Sequence, residues 1–145
     1  MNAQTLWLPG QVKTEILLTS NETAGAYCLL IDHPPAGWSL PAHRHRNEAE
    51  TMYVVEGEFE VEVEGESTKV SAGEALHVPA GALHSGGNVG PGTARRVLVF
   101  SPGGVEQLFF ELGSANPQEV RDPAKALATA GEYGWEFFES PEVAS

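Results

Sequence analysis

Cysteine is almost missing from this chain: Cys28 stands alone among 145 residues, so no internal disulfide can staple the fold. Positive charge is scarce too. Eight Lys and Arg face twenty Asp and Glu, a net charge of −12. Binding to a phosphate backbone needs clustered Lys and Arg, so nucleic acid is excluded as an expected partner, and an anionic membrane surface with it. No apolar run approaches the roughly 20 residues of a membrane-spanning helix. Met1–Gly10 lacks the charged-then-apolar pattern of a secretory leader, which makes the cytoplasm the expected compartment. There is no internal repeat and no low-complexity block.

What remains suits one soluble globular domain. Apolar residues make up 41% and charged residues 19%, far from a disordered composition. Sixteen glycines and ten prolines punctuate the chain at short intervals, as they do between many short strands. Gln11–Leu18 alternates, with Val12, Thr14, Ile16 and Leu18 on one face. Glu58–Glu64 alternates most cleanly: Phe59, Val61 and Val63 point one way and the glutamates the other. Further strands are expected at Ala26–Ile31, Glu50–Val55, Ser67–Val70, Glu74–Val78 and Arg95–Ser101. About eight antiparallel strands at this spacing predict an all-β sandwich or small barrel. The pattern changes after Pro102. Val105, Leu108, Phe109 and Leu112 have helical spacing, Gly113 is a plausible C-cap, and Asp122-Pro123 predicts a second helix over Ala124–Glu132. Trp135–Phe138 is apolar enough to pack back on the barrel.

Chemistry concentrates in two segments. In the first, His43 and His45 lie two apart, so on an extended chain their imidazoles share a face. Glu50 follows, on a strand face shared with Met52 and Val54, and can bring a carboxylate oxygen to the same point. In the second segment His84 follows a Pro-x-Gly turn, Pro79 to Gly81, which a barrel can set opposite the first pair. Three imidazoles and one carboxylate suit one divalent transition metal, Fe, Mn, Ni, Co, Cu or Zn, and leave coordination positions open to substrate. Glu48 rivals Glu50 on the same parity, earlier in the expected loop. Arg44 and Arg46 point away from the ligands. One of Arg95 and Arg96 can turn inward to hold a substrate carboxylate; a salt bridge to the glutamate row is the simpler expectation. His33 is expected in an exposed loop.

These two segments resemble the paired motifs of the cupin superfamily, G-x5-H-x-H-x4-E-x6-G and G-x5-P-x-G-x2-H-x3-N. Gly37, His43, His45, Glu50 and Gly57 match the first, and Gly73, Pro79, Gly81, His84 and Asn88 the second. The motifs span roughly a third of the chain. The stretch from Ser101 to Gly113 also resembles the C-terminal helices of small one-domain cupins, some of them quercetin 2,3-dioxygenase-like. The resemblance implies a double-stranded β-helix (a jelly-roll cupin barrel) with one or two short C-terminal helices. It implies a single domain over residues 1–145, with the barrel at about 11–101 and a helical extension at about 102–139. It implies His43, His45, Glu50 and His84 as metal ligands, and a homodimer. The candidate substrate pocket is Trp38, Met52, Phe59 and His77.

The functional expectation is a metal-dependent dioxygenase acting on a small flavonol- or diketone-like molecule. Its partners would be that substrate and dioxygen, with Glu50 as the base. A non-oxidative metal-dependent isomerase or lyase, and a non-enzymatic ligand-binding barrel, are the alternatives, because one barrel hosts many chemistries.

Overall fold

A computed structural model of the chain describes residues 3–119 and 122–138. Ten strands come first: β1 (Gln4–Leu8), β2 (Val12–Leu18), β3 (Cys28–His33), β4 (Ser39–His45), β5 (Ala49–Glu56), β6 (Glu58–Val63), β7 (Glu66–Ser71), β8 (Ala75–Val78), β9 (His84–Asn88) and β10 (Arg95–Ser101). Two helices, α1 (Glu106–Leu112) and α2 (Pro123–Glu132), and a last short strand, β11 (Trp135–Phe137), follow. Residue 139, the expected end of the helical extension, lies outside the described residues.

The strands form two facing antiparallel sheets. One is six-stranded, in the order β1-β2-β3-β10-β5-β8; the other is five-stranded, β11-β4-β9-β6-β7. Consecutive strands repeatedly cross from one sheet to the other, as in a double-stranded β-helix. The chain is mostly β, with two short helices appended, as the alternating pattern predicts.

Alternation decides which side chains enter the space between the sheets. On β6, Phe59 and Val61 are buried while Glu60 and Glu62 face solvent. On β5 the inward residues are Glu50, Met52 and Val54, and on β10 they are Arg96, Leu98 and Phe100. Leu108 and Phe109 of α1 complete the apolar core at one end. The Asp122 carboxylate accepts a hydrogen bond from the Ala124 amide at 3.0 Å and so caps α2, with Pro123 in the first turn. Among the described residues, no helix is long and apolar enough to cross a membrane.

Some segments depart from the sequence reading. The strand expected at Ala26–Ile31 is shifted to Cys28–His33, so that Asp32 turns into the barrel and His33 is half-buried beside Glu15, at 2.8 Å, rather than in a loop. β9 carries Ser-Gly-Gly, which has little intrinsic strand preference. It is extended because β4 and β6 pair with it on both sides. Gly87 permits that closeness: a Cβ there would lie 3.2 Å from both Ser39 Cβ and the Trp38 carbonyl.

Gly57 joins β5 to β6 at φ +103°, where a Cβ would sit 2.7 Å from that of Ala94. Gly57→Ala combines a left-handed backbone with a backbone-level clash. It is expected to cost about 2 kcal/mol or more, read as a lower urea midpoint with an unchanged slope.

Candidate metal centre

The antiparallel register of β4 and β9 sets His43 directly opposite His84. His45, two residues along β4, falls on the same face. The ring centroids stand 4.2 Å apart for His43 and His84, 5.0 Å for His43 and His45, and 4.9 Å for His45 and His84. One potential donor atom from each of the three lies within 4.8 Å of the others, and all three rings are buried.

Glu50 comes from the opposite sheet, where it sits between Phe100 of β10 and Val78 of β8. Its Oε1 is 3.8 Å from His45 Nδ1 and 3.8 Å from His84 Nε2. The cluster therefore bridges both layers of the barrel.

The hydrogen bonds define which nitrogens are left for a ligand. His43 Nδ1 donates to the Pro41 carbonyl at 2.8 Å, and His84 Nδ1 donates to the Ala82 carbonyl at 3.0 Å. Each ring then presents an Nε2 lone pair. His45 Nε2 and His84 Nε2 are buried without a hydrogen-bond partner. Buried polar atoms without partners are costly, so an orphaned pair in one cluster marks a place built for a further group. The imidazole and carboxylate donor set fits a divalent transition metal.

Electrostatics keeps His43 and His45 neutral and Glu50 ionised. Burial presses His43 down to about 4 and His45 down to about 3, so both are neutral near pH 7. On His84 burial also opposes charge, but the Glu50 carboxylate beside it outweighs that and raises its pKa. Burial alone would push Glu50 up. His84, His45 and Arg96 outweigh it, and the carboxyl is held near 2.

Glu48, the rival ligand, is buried but turned elsewhere. It accepts a hydrogen bond from Trp135 Nε1 at 2.8 Å, and burial raises its pKa. Trp135 lies on β11 and stacks on His45, with centroids 3.9 Å apart and planes at 15°. Phe137, also on β11, stacks on His43. Neither Trp135 nor its link to Glu48 was foreseen from the sequence. The signal available was the apolar run at Trp135–Phe138, which said only that the segment packs back.

A cavity of about 300 Å³ opens beside the cluster. His43, Glu50 and His84 line it, together with mostly apolar residues from both sheets and both helices. Trp38 and Met52 line it. Phe59 does not: it is fully buried behind the wall, beneath the Arg96 guanidinium. His77 corrects the expectation more clearly. It has the parity opposite to Val78, is exposed on the outer face of β8, and pairs with Thr51 Oγ1 at 2.8 Å. Arg96 does turn inward, but its partner is Asp32, not the glutamate row. Arg95 is exposed, Arg46 pairs with Glu136 on the surface, and Arg44 lies over the Phe138 ring.

Comparison with known proteins agrees with this geometry. Residues 29–100 match the Cupin domain family. The chain is 29% identical over 106 residues to quercetin 2,3-dioxygenase of Bacillus subtilis, covering 73% of this chain and 31% of that protein. It is 36% identical over 85 residues to polyketide synthase CurC of Streptomyces cyaneus, covering 59% of this chain and 54% of that protein. The chain thus spans about a third and about half of these two relatives. Among solved structures, KdgF from Halomonas sp. superposes with a TM-score of 0.61 at 25% identity, covering 74% of this chain and 91% of that one.

Trp135→Phe removes the donor to a buried Glu48 carboxylate. It is expected to destabilise the fold by about 1–3 kcal/mol in urea titration. Adding Glu48→Leu to that variant, which removes the stranded polar group, is expected to recover much of the loss.

Proposed function

The chain belongs to the cupin superfamily, and on that footing we propose that His43, His45, Glu50 and His84 hold one divalent transition metal and that the protein is a metal-dependent oxidoreductase. The reaction proposed is a dioxygenation of a small, flat, largely apolar molecule carrying an enolisable or phenolic hydroxyl. One observation carries the reading: three buried imidazoles and an ionised carboxylate converge at the wall of an apolar cavity. The likeness to quercetin 2,3-dioxygenase supports the oxidative form of it.

When bound, the metal supplies Lewis acidity toward a substrate oxygen and, for a redox-active ion, electron exchange with dioxygen. The protein's own contribution is positional and electrostatic. Pro41 and Ala82 carbonyls fix the His43 and His84 rings with Nε2 forward. Glu50, held ionised among His84, His45 and Arg96, would leave the ligand set or swing to act as the base that receives the substrate hydroxyl proton at its carboxylate. Its position on β5, a central strand of its sheet, keeps that oxygen within reach of the imidazoles. Met52, Leu98 and Phe100 exclude water around it, which strengthens every charge interaction there.

The likeness to polyketide synthase CurC leaves room for a second reading, a non-oxidative metal-dependent isomerase or lyase at the same centre. Turnover without oxygen separates the two. Tight binding of such molecules without turnover would instead leave a ligand-binding barrel.

A cytoplasmic location belongs to this reading and fits a lone thiol that is buried and pushed up to about 12, chiefly by desolvation. So does a homodimer. Tyr53 and Val55 stand exposed on the outer face of β5, an apolar surface suited to a second copy. Light scattering is expected to give twice the monomer mass, and Tyr53→Glu to shift it toward monomer.

Purified protein is expected to carry near-stoichiometric transition metal by plasma mass spectrometry. His84→Ala is expected to weaken its retention at least about 100-fold with the fold intact by circular dichroism. An oxygen electrode should then record uptake with flavonol or β-diketone substrates, lost in Glu50→Gln. Protein that takes up none of Fe, Mn, Ni, Co, Cu or Zn would overturn the ligand assignment.

A further inference from the structure

Arg96 is buried in the barrel, on the wall of the same cavity, where an acid and two aromatic rings hold its side chain. It lies opposite Asp32 in the β10–β3 register. Its Nε donates to Asp32 Oδ1 at 3.0 Å and its Nη2 to Asp32 Oδ2 at 2.7 Å, a two-point fork. The guanidinium carbon lies 5.1 Å from the centroid of the Trp38 ring and 4.8 Å from that of Phe59. The third nitrogen, Nη1, makes no hydrogen bond among the described residues. A guanidinium carries five N–H donors, so the edge that Asp32 leaves unused keeps donors available to a molecule in the cavity that Arg96 lines.

Its place along the barrel gives that edge a meaning. Glu50 pairs with Phe100 on β10, and Arg96 lies four residues further along the same strand. That separation is about 13 Å of backbone, across which the two charged heads still feel one another. Leu98, between them, faces inward, as does Met52 opposite it. The cavity wall therefore runs from a histidine and carboxylate end, across an apolar middle, to an arginine end. Because Asp32 offsets its charge, the arginine end suits a polar but uncharged oxygen.

We propose that Arg96 Nη1 donates a hydrogen bond to a carbonyl or phenolic oxygen at the end of the substrate remote from the histidines, so that the cavity selects flat, mostly apolar molecules with oxygen at both ends. The inference rests on the cavity being the substrate site, as in the reading above. Arg96 is then a specificity-determining residue, and Asp32 positions it.

The test uses the full chain stripped of metal with EDTA, so that it does not depend on loading. Two naphthols of matched shape, 6-acetyl-2-naphthol and 6-ethyl-2-naphthol, are titrated calorimetrically. Wild-type protein is expected to prefer the acetyl compound by about tenfold or more, the strength of a hydrogen bond from a charged donor. The double substitution Arg96→Met with Asp32→Asn removes both charges together, leaving neither buried alone. It is expected to shrink the preference to about twofold or less while changing affinity for the ethyl compound by less than about threefold. Equal affinities in the wild type would overturn the inference, whatever the folding of the variant. So would a preference that survives undiminished in a folded double variant, or failure of both compounds to bind. Metal content and oxygen uptake decide the metal reading separately: a chain that binds no metal yet keeps the acetyl preference would sink that reading and leave this one.

Discussion

The centre depends on one cross-strand pair, His43 against His84, made by the antiparallel register of β4 and β9. Side chains alternate along a strand, so a slip of one residue in either strand would turn its histidine to the opposite face. His45 follows His43 on β4 and would turn with it. The register is held from outside by β6, which pairs along β9, and by β11, which pairs along β4. Gly87 lets β4 and β9 approach where a side chain would press on Ser39 and the Trp38 carbonyl. The C-terminal segment is thus part of the site. Trp135 and Phe137 stack on the two histidines of β4, and Glu48 holds Trp135 by its indole N–H.

The second constraint is the accommodation of charge in an apolar barrel. Glu50, Asp32 and Arg96 all face inward, and an unpaired ion there is strongly disfavoured. The fold deals with the three differently. Asp32 and Arg96 neutralise one another through a fork that the strand register supplies, with aromatic faces over the guanidinium. Glu50 has no such close partner. It is held ionised by imidazoles 3.8 Å away and by the more distant field of Arg96. A buried ion pair is weak evidence for added stability. A carboxylate left with so loose a set of partners is better accounted for by chemistry than by stability.

Much of this was legible in the residues. The alternation at Glu58–Glu64 and Val12–Ile16 specified strands and their buried faces, because a half-buried sheet must put apolar side chains at every second position. Helical spacing at Val105–Leu112 and the Asp122-Pro123 cap marked α1 and α2. His43 and His45, two apart, had to share a face of an extended chain, and Glu50 had to share one with Met52. Other features had no local signature. β9 is a strand by virtue of its neighbours, not its composition. Asp32 falls just outside the strand expected at Ala26–Ile31, and nothing local signals that Arg96 stands opposite it. His77 looked like part of the pocket because its segment did, yet its parity turns it outward.

The sequence by itself determined the class of fold, the identity of the candidate ligands and the strand faces they occupy, since periodicity and covalent spacing are properties of the chain alone. Tertiary structure alone decided which distant residues meet. It set Glu50 of one sheet against histidines of the other, tied Arg96 to Asp32, and drew Trp135 across ninety residues to stack on His45. Those meetings are fixed by strand order and register, which arise from the packing of the whole barrel and leave no trace in any single segment.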